Sequence, residues 1–142
     1  MLLNKPINQM KASLTILFLC LGLVSLSQTT YQNNLGANYV NGKTGPFVKS
    51  SVAWTITQDG SNYKLKTNVS NEVITVTYSK QDEPNNLYIY RPVGIVKFEG
   101  GLVISVMTSG KLSDFAKGKS SEVNILAIRF TDETGFIYRL GR

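Results

Sequence analysis

The sequence predicts an all-β fold: an antiparallel β-sandwich of about seven or eight short strands, or alternatively a small β-barrel, with one short helix near residues 111–117 and a signal peptide in front. Three observations predict it. Apolar residues alternate with polar ones over short runs, the two-residue period of a half-buried strand. Turn-forming clusters of Gly, Asn, Asp and Pro recur about every ten residues, a spacing that suits hairpins and excludes βαβ units. A basic, short apolar segment ending in small residues opens the chain.

That opening segment comes first in order. Leu14 to Leu26 reads LTILFLCLGLVSL, 13 residues without a charge. Lys11 precedes it, and Ser25-Leu26-Ser27 puts small residues at the −3 and −1 positions of a cut before Gln28. A membrane span needs about 20 apolar residues, so cleavage is favoured over a retained anchor through residues 14–26. Either Met1 or Met10 would serve as the start. The single cysteine, Cys20, lies inside this run, and Leu19 before it is too large for lipid attachment. The domain plan is therefore a signal peptide at 1–27, a flexible polar arm at 28–46 and one β domain at 47–142.

The arm, TTYQNNLGANYVNGKTGP over residues 29–46, shows no clear period and reads as a loop with at most a short strand near Tyr39-Val40. From Ser51 to Thr57 the alternation is clean, with Val52, Trp54 and Ile56 on the core face. Asp59-Gly60-Ser61-Asn62 turns the chain, and Tyr63 and Leu65 return inward between Lys64 and Lys66. After Asn68-Val69-Ser70-Asn71, the β-branched run Val73 to Tyr78 puts Ile74, Val76 and Tyr78 inward. A polar loop, Gln81 to Asn86, leads to two short strands, Leu87–Tyr90 and Val93–Phe98, parted by Arg91-Pro92. Gly100-Gly101 turns into Leu102 to Met107, with Leu102, Ile104 and Val106 expected inward. Leu112, Phe115 and Ala116 have the i, i+3, i+4 spacing of a helix, and Gly118 stops it. The chain closes with Asn124 to Phe130, a turn at Asp132 to Gly135, and Phe136 to Leu140.

Composition sets the chemical limits. The 42% hydrophobic and 17% charged content rules out a disordered chain. Removing 27 of the 142 residues leaves 115, enough for one core without disulfides. The formal charge is +6; Lys5 and Lys11 leave with the signal segment, so the remainder carries +4, from 13 basic against 9 acidic residues. A modest positive charge favours anionic partners in general and specifies none. There is no histidine, which excludes Ser-His-Asp and Cys-His nucleophiles and a Cys/His zinc cage within this chain.

The motif fragments fail on context. Gly118-Lys119-Ser120 resembles the end of a phosphate-binding loop, but the first glycine of that pattern is replaced by Ser113. Ser61-Asn62-Tyr63-Lys64 fits S-x-x-K yet falls at a turn entering a strand, where no helix aims Ser and Lys together. Asn68-Val69-Ser70 is a glycosylation sequon of a kind common by chance. Neither Asp82-Glu83 nor Asp132-Glu133 has the form of a calcium loop. No nucleic-acid module, metal site or cofactor motif is present, and no catalytic residue is assigned.

Binding is the reading that remains. Tyr88, Tyr90 and Arg91 cluster in LYIYRP; if Leu87 and Ile89 enter the core, the tyrosines line the opposite face beside Arg91. Such residues suit a protein or glycan partner. The sequence thus points to an exported, non-catalytic binding or envelope-associated domain. The alternatives are a carboxylate-dependent hydrolase of envelope or extracellular polysaccharide and a structural subunit assembling through edge strands.

Overall fold

The computed structural model describes residues 26–119 and 123–142. The expected signal cleavage region up to residue 25, with Cys20 and both possible starts, lies outside the described residues, as does Glu122. Among the described residues no helix is long and apolar enough to cross a membrane.

Among the described residues the architecture is all-β and antiparallel with one short helix. Twelve strands of the described residues form a single sheet: β1 (Gln28–Tyr31), β2 (Asn34–Val40), β3 (Lys43–Thr44), β4 (Val48–Ser50), β5 (Trp54–Asp59), β6 (Asn62–Thr67), β7 (Val73–Asp82), β8 (Leu87–Pro92), β9 (Lys97–Phe98), β10 (Gly101–Thr108), β11 (Asn124–Phe130) and β12 (Thr134–Leu140). The helix, α1, is Leu112–Ala116. The ladder runs β1-β5-β6-β7-β8-β10-β11-β12-β2-β3, with β4 on β2 and β9 on β10. The barrel alternative is corrected: the sheet is not closed into one. The ladder ends at β1 and β3, and the chain joins β1 to β2 through Gln32-Asn33. The facing layers are opposite stretches of one sheet. Trp54 of β5 thereby meets Phe98 of β9 at 5.5 Å and Tyr138 of β12 at 5.3 Å between ring centroids.

Several elements form as expected. The β5–β6 hairpin pairs Asp59 with Asn62 across a two-residue loop, and Gly60 supplies the positive φ of +62° that such a loop needs. Trp54, Ile56, Leu65, Ile74 and Val76 are fully buried, and Val52 packs against them. The helix buries Leu112, Phe115 and Ala116, the three residues of the predicted spacing. It ends in a Schellman motif: Gly118, at φ +70°, donates to Phe115 O and Lys119 donates to Asp114 O.

Four expectations are corrected. Residues 28–46 are not a flexible arm, because β1 and β2 are integral strands. Alternation was there, with Thr29 and Tyr31 buried and Gln28 and Thr30 exposed, but polar side chains carry it. Their cost of burial is met by hydrogen bonds: Thr29 Oγ1 donates to Ala116 O at 2.8 Å and Tyr31 Oη to Phe115 O at 2.7 Å. Asn34, 2% exposed, donates to Tyr31 O and Val52 O and accepts from Gly141 N. These strands also raise the count above seven or eight.

Leu102 and Ile104 point outward, whereas Val103 and Val106 are buried. The β10–β11 register shifts between Val103 and Ser105, and an extra residue in a strand exchanges the two faces. Tyr78 is half-exposed where an inward position was expected; β7 has a register shift between Tyr78 and Lys80. The fourth correction concerns β8. Tyr90 is buried at 2% exposure, so the inward face is that of the tyrosines, and Arg91 lies exposed on the other face.

Candidate functional site

β6, β7 and β8 are neighbours, and each brings tyrosine to the same end of the core face. Tyr78 and Tyr90 are paired in register, and Tyr63 lies opposite Val76, two residues before Tyr78. Tyr88 follows on the inward face of β8, two residues from Tyr90. The four rings surround a cavity of about 450 Å³, completed by Gln81, Lys111 and Ser113. A volume in the range of roughly 300–1,000 Å³ suits a small ligand.

Tyr90 is the fixed part of this cavity. Tyr63 meets it edge-on at 5.6 Å with an interplanar angle of 82°, and Tyr78 at 5.8 Å with 74°. Edge-to-face contacts of this kind are favourable for aromatic quadrupoles. The Leu112 N–H donates to Tyr90 Oη at 2.9 Å, tying β8 to the start of α1. Burial pushes the Tyr90 phenol up to about 12; hydrogen bonding with the Leu112 N–H and with Thr108 offsets this in part, and nearby Tyr63 and Tyr78 add to it. Its hydroxyl is therefore a structural acceptor within the fold.

Tyr63 and Tyr88 are half-buried, Tyr78 is 50% exposed and Lys111 is exposed. These residues form the open side. Of the three site residues expected from sequence, the structure brings Tyr88 and Tyr90 into one cavity and leaves Arg91 outside it, beside Thr77. Tyr63, Tyr78, Gln81, Lys111 and Ser113 were missed. The signal that would have found the tyrosines is register: Tyr78 and Tyr90 coincide once β7 and β8 are paired across the loop of residues 83–86.

Among the described residues no group of three or more Asp or Glu side chains is placed to hold a metal ion. Asp59 pairs with Lys64 at 3.2 Å on the surface, and Glu72 accepts from Glu99 N at 2.9 Å. Asp82 accepts from Asn85. The Thr134 hydroxyl and N–H, both donating to Asp132, hold its carboxyl below the ordinary range. Asn68 of the sequon is likewise occupied, accepting from Ala53 N and donating to Ser51 O.

A wider groove of about 750 Å³ crosses the outer face of β1, β5 and β6, lined by Thr30, Thr55, Thr57, Lys64 and Lys66 among others. Its hydroxyls satisfy neighbours within the sheet: Thr30 and Thr55 are 2.8 Å apart, and Thr57 donates to Gln28 at 3.0 Å. This is a solvated strand face without an aromatic ring. No family model, curated protein sequence or solved structure matches the chain.

Proposed function

We propose that this chain is an exported, non-catalytic binding domain that receives a glycan unit in the tyrosine cavity. One observation carries the reading: four of the seven tyrosines converge on one cavity, and the most buried of these four meets two of the others edge-on. Rings offer flat apolar area for the C–H faces of a sugar, and phenol, amide and hydroxyl groups meet its hydroxyls. The rim groups stand on paired strands and on a pinned helix, so little ordering is left for the moment of binding.

The test uses Tyr78→Ala and Tyr88→Ala, measured by calorimetry against a panel of oligosaccharides. Each variant is expected to keep its fold and to lose roughly tenfold in affinity, about 1.4 kcal/mol. A panel with no binder, or binding indifferent to both substitutions, would overturn the reading.

Export is the second part of the proposal. It is supported by the 13-residue apolar run and Ser25-Leu26-Ser27, and by the start of β1 at Gln28, immediately after the proposed cut. Cleavage there removes the Ser27 carbonyl that accepts from Gln58 N, but it leaves all four β1–β5 register pairs. Mass spectrometry of the protein from its native host should find Gln28 at the N-terminus. An intact chain retaining Leu14 to Leu26 would replace this with a membrane-anchored form.

A further inference from the structure

The cavity has one charge, and it is positive. Tyr63, Tyr78, Tyr88, Tyr90, Gln81 and Ser113 are neutral, no carboxylate lines the space, and Lys111 stands at its open side. Among the described residues Lys111 makes no ion pair; the surface pair there is Lys64 with Asp59. A cationic ligand would meet the ring faces but also an uncompensated ammonium, whereas an anionic group would gain its first counter-charge.

The position of Lys111 is determined by the fold. It immediately precedes α1, and its carbonyl accepts from Asp114 N and Phe115 N. The next residue, Leu112, is fully buried and donates its N–H to Tyr90 Oη. The far end of the helix is held by Tyr31 Oη on Phe115 O and Thr29 Oγ1 on Ala116 O. The base of the Lys111 side chain is thus fastened directly to the floor of the cavity, through one residue and one hydrogen bond.

We infer that the ligand is an acidic sugar: a pyranose ring against Tyr78 and Tyr88, with its anionic group on the Lys111 ammonium. This rests on the glycan reading above and narrows it. A lysine ammonium is a point charge that accepts carboxylate, sulfate or phosphate without the planar fork of an arginine. The shared requirement is a ring carrying one negative charge near its edge.

The experiment compares oligogalacturonate with the same oligomer after its carboxyls have been reduced to alcohols. A sulfated oligosaccharide of equal length and free acetate complete the set. The wild-type chain is expected to bind oligogalacturonate or the sulfated oligomer at least tenfold tighter than the neutral one, with the preference shrinking as salt rises. Acetate should not compete at equal concentration. Lys111→Gln should abolish the preference, and Lys111→Arg should restore it. Whichever anionic oligomer binds tighter identifies the acidic group. Equal binding of charged and neutral oligomers, lost in Tyr88→Ala, would overturn the acidic assignment and leave the glycan reading intact. Absence of binding to all three oligomers would overturn both. An unchanged preference in Lys111→Gln would also overturn the assignment.

Discussion

Trp54→Ala is expected to lower stability by roughly 3–5 kcal/mol, the range for large-to-small substitutions in a close-packed core. Trp54 is fully buried and stands where opposite stretches of the sheet meet. Its ring contacts Phe98 and Tyr138, and its backbone is paired with Tyr31 on one side and Thr67 on the other. Removing the indole leaves a void between layers whose positions are fixed by continuous ladders, so collapse into it is restricted. A domain with about 5–15 kcal/mol in total would be left marginal. Trp54→Phe separates two contributions. Trp54 Nε1 has no hydrogen-bond partner among the described residues, so phenylalanine removes a buried, unpaired donor along with part of the volume. Its loss should be clearly smaller than that of alanine. Urea denaturation of both variants measures this, and an unchanged midpoint in Trp54→Ala would show that the layers do not meet at Trp54.

The core of this fold was legible where aliphatic or aromatic residues alternate. Trp54, Ile56, Leu65, Ile74 and Val76 follow a two-residue period, and all are fully buried. The helix was legible because Leu112, Phe115 and Ala116 share a stripe that no strand would present. β1 and β2 were not legible, because the inward positions Thr29 and Asn34 are buried through partners distant in sequence, at Ala116, Val52 and Gly141. No local pattern reports such bonds. Leu102 and Ile104 were misplaced for a different reason: a bulge alters the period within a strand, and the residues LVISV fit either phase.

The candidate site was half legible. Tyr88 and Tyr90 stand out in sequence as aromatics on one strand, but LYIY is apolar on both faces and does not say which enters the core. Only pairing with β7 decides it, since Tyr78 then faces Tyr90 and brings the Tyr63 side of the sheet with it. Arg91, next in sequence, is one residue out of phase and so falls on the opposite face. Lys111 and Ser113 come from the N-cap and first turn of α1, far from β8 in sequence and joined to it by the Leu112–Tyr90 hydrogen bond.

That bond yields the second large effect. Tyr90→Phe keeps the ring against Tyr63 and Tyr78 but leaves the Leu112 N–H buried without its acceptor, which should cost about 1–3 kcal/mol. Tyr90→Ala removes the ring as well, and its loss should reach roughly 3–5 kcal/mol, on a par with Trp54→Ala. Joint replacement of Tyr88 and Tyr90 would therefore unfold the domain without testing the cavity, whereas Tyr78 and Tyr88 substitutions test it cleanly. The hydroxyl also has a signature in pH. Desolvation raises the Tyr90 phenol from 10.0 to about 12, and burial raises Tyr31 and Tyr138 in the same direction. A phenol that ionises more readily in the unfolded chain favours unfolding once the pH passes its unfolded value. The contribution of Tyr90 is fully present below about pH 10 and is lost as pH rises through about 12. Denaturation midpoints should therefore hold steady on approaching pH 10 and fall beyond it. Tyr90→Phe, starting from a lower midpoint, should show a shallower fall over the same interval, because one of the three raised phenols is gone. A parallel decline in wild type and Tyr90→Phe would mean that Tyr90 is not desolvated, and would remove the fixed floor from the proposed binding cavity.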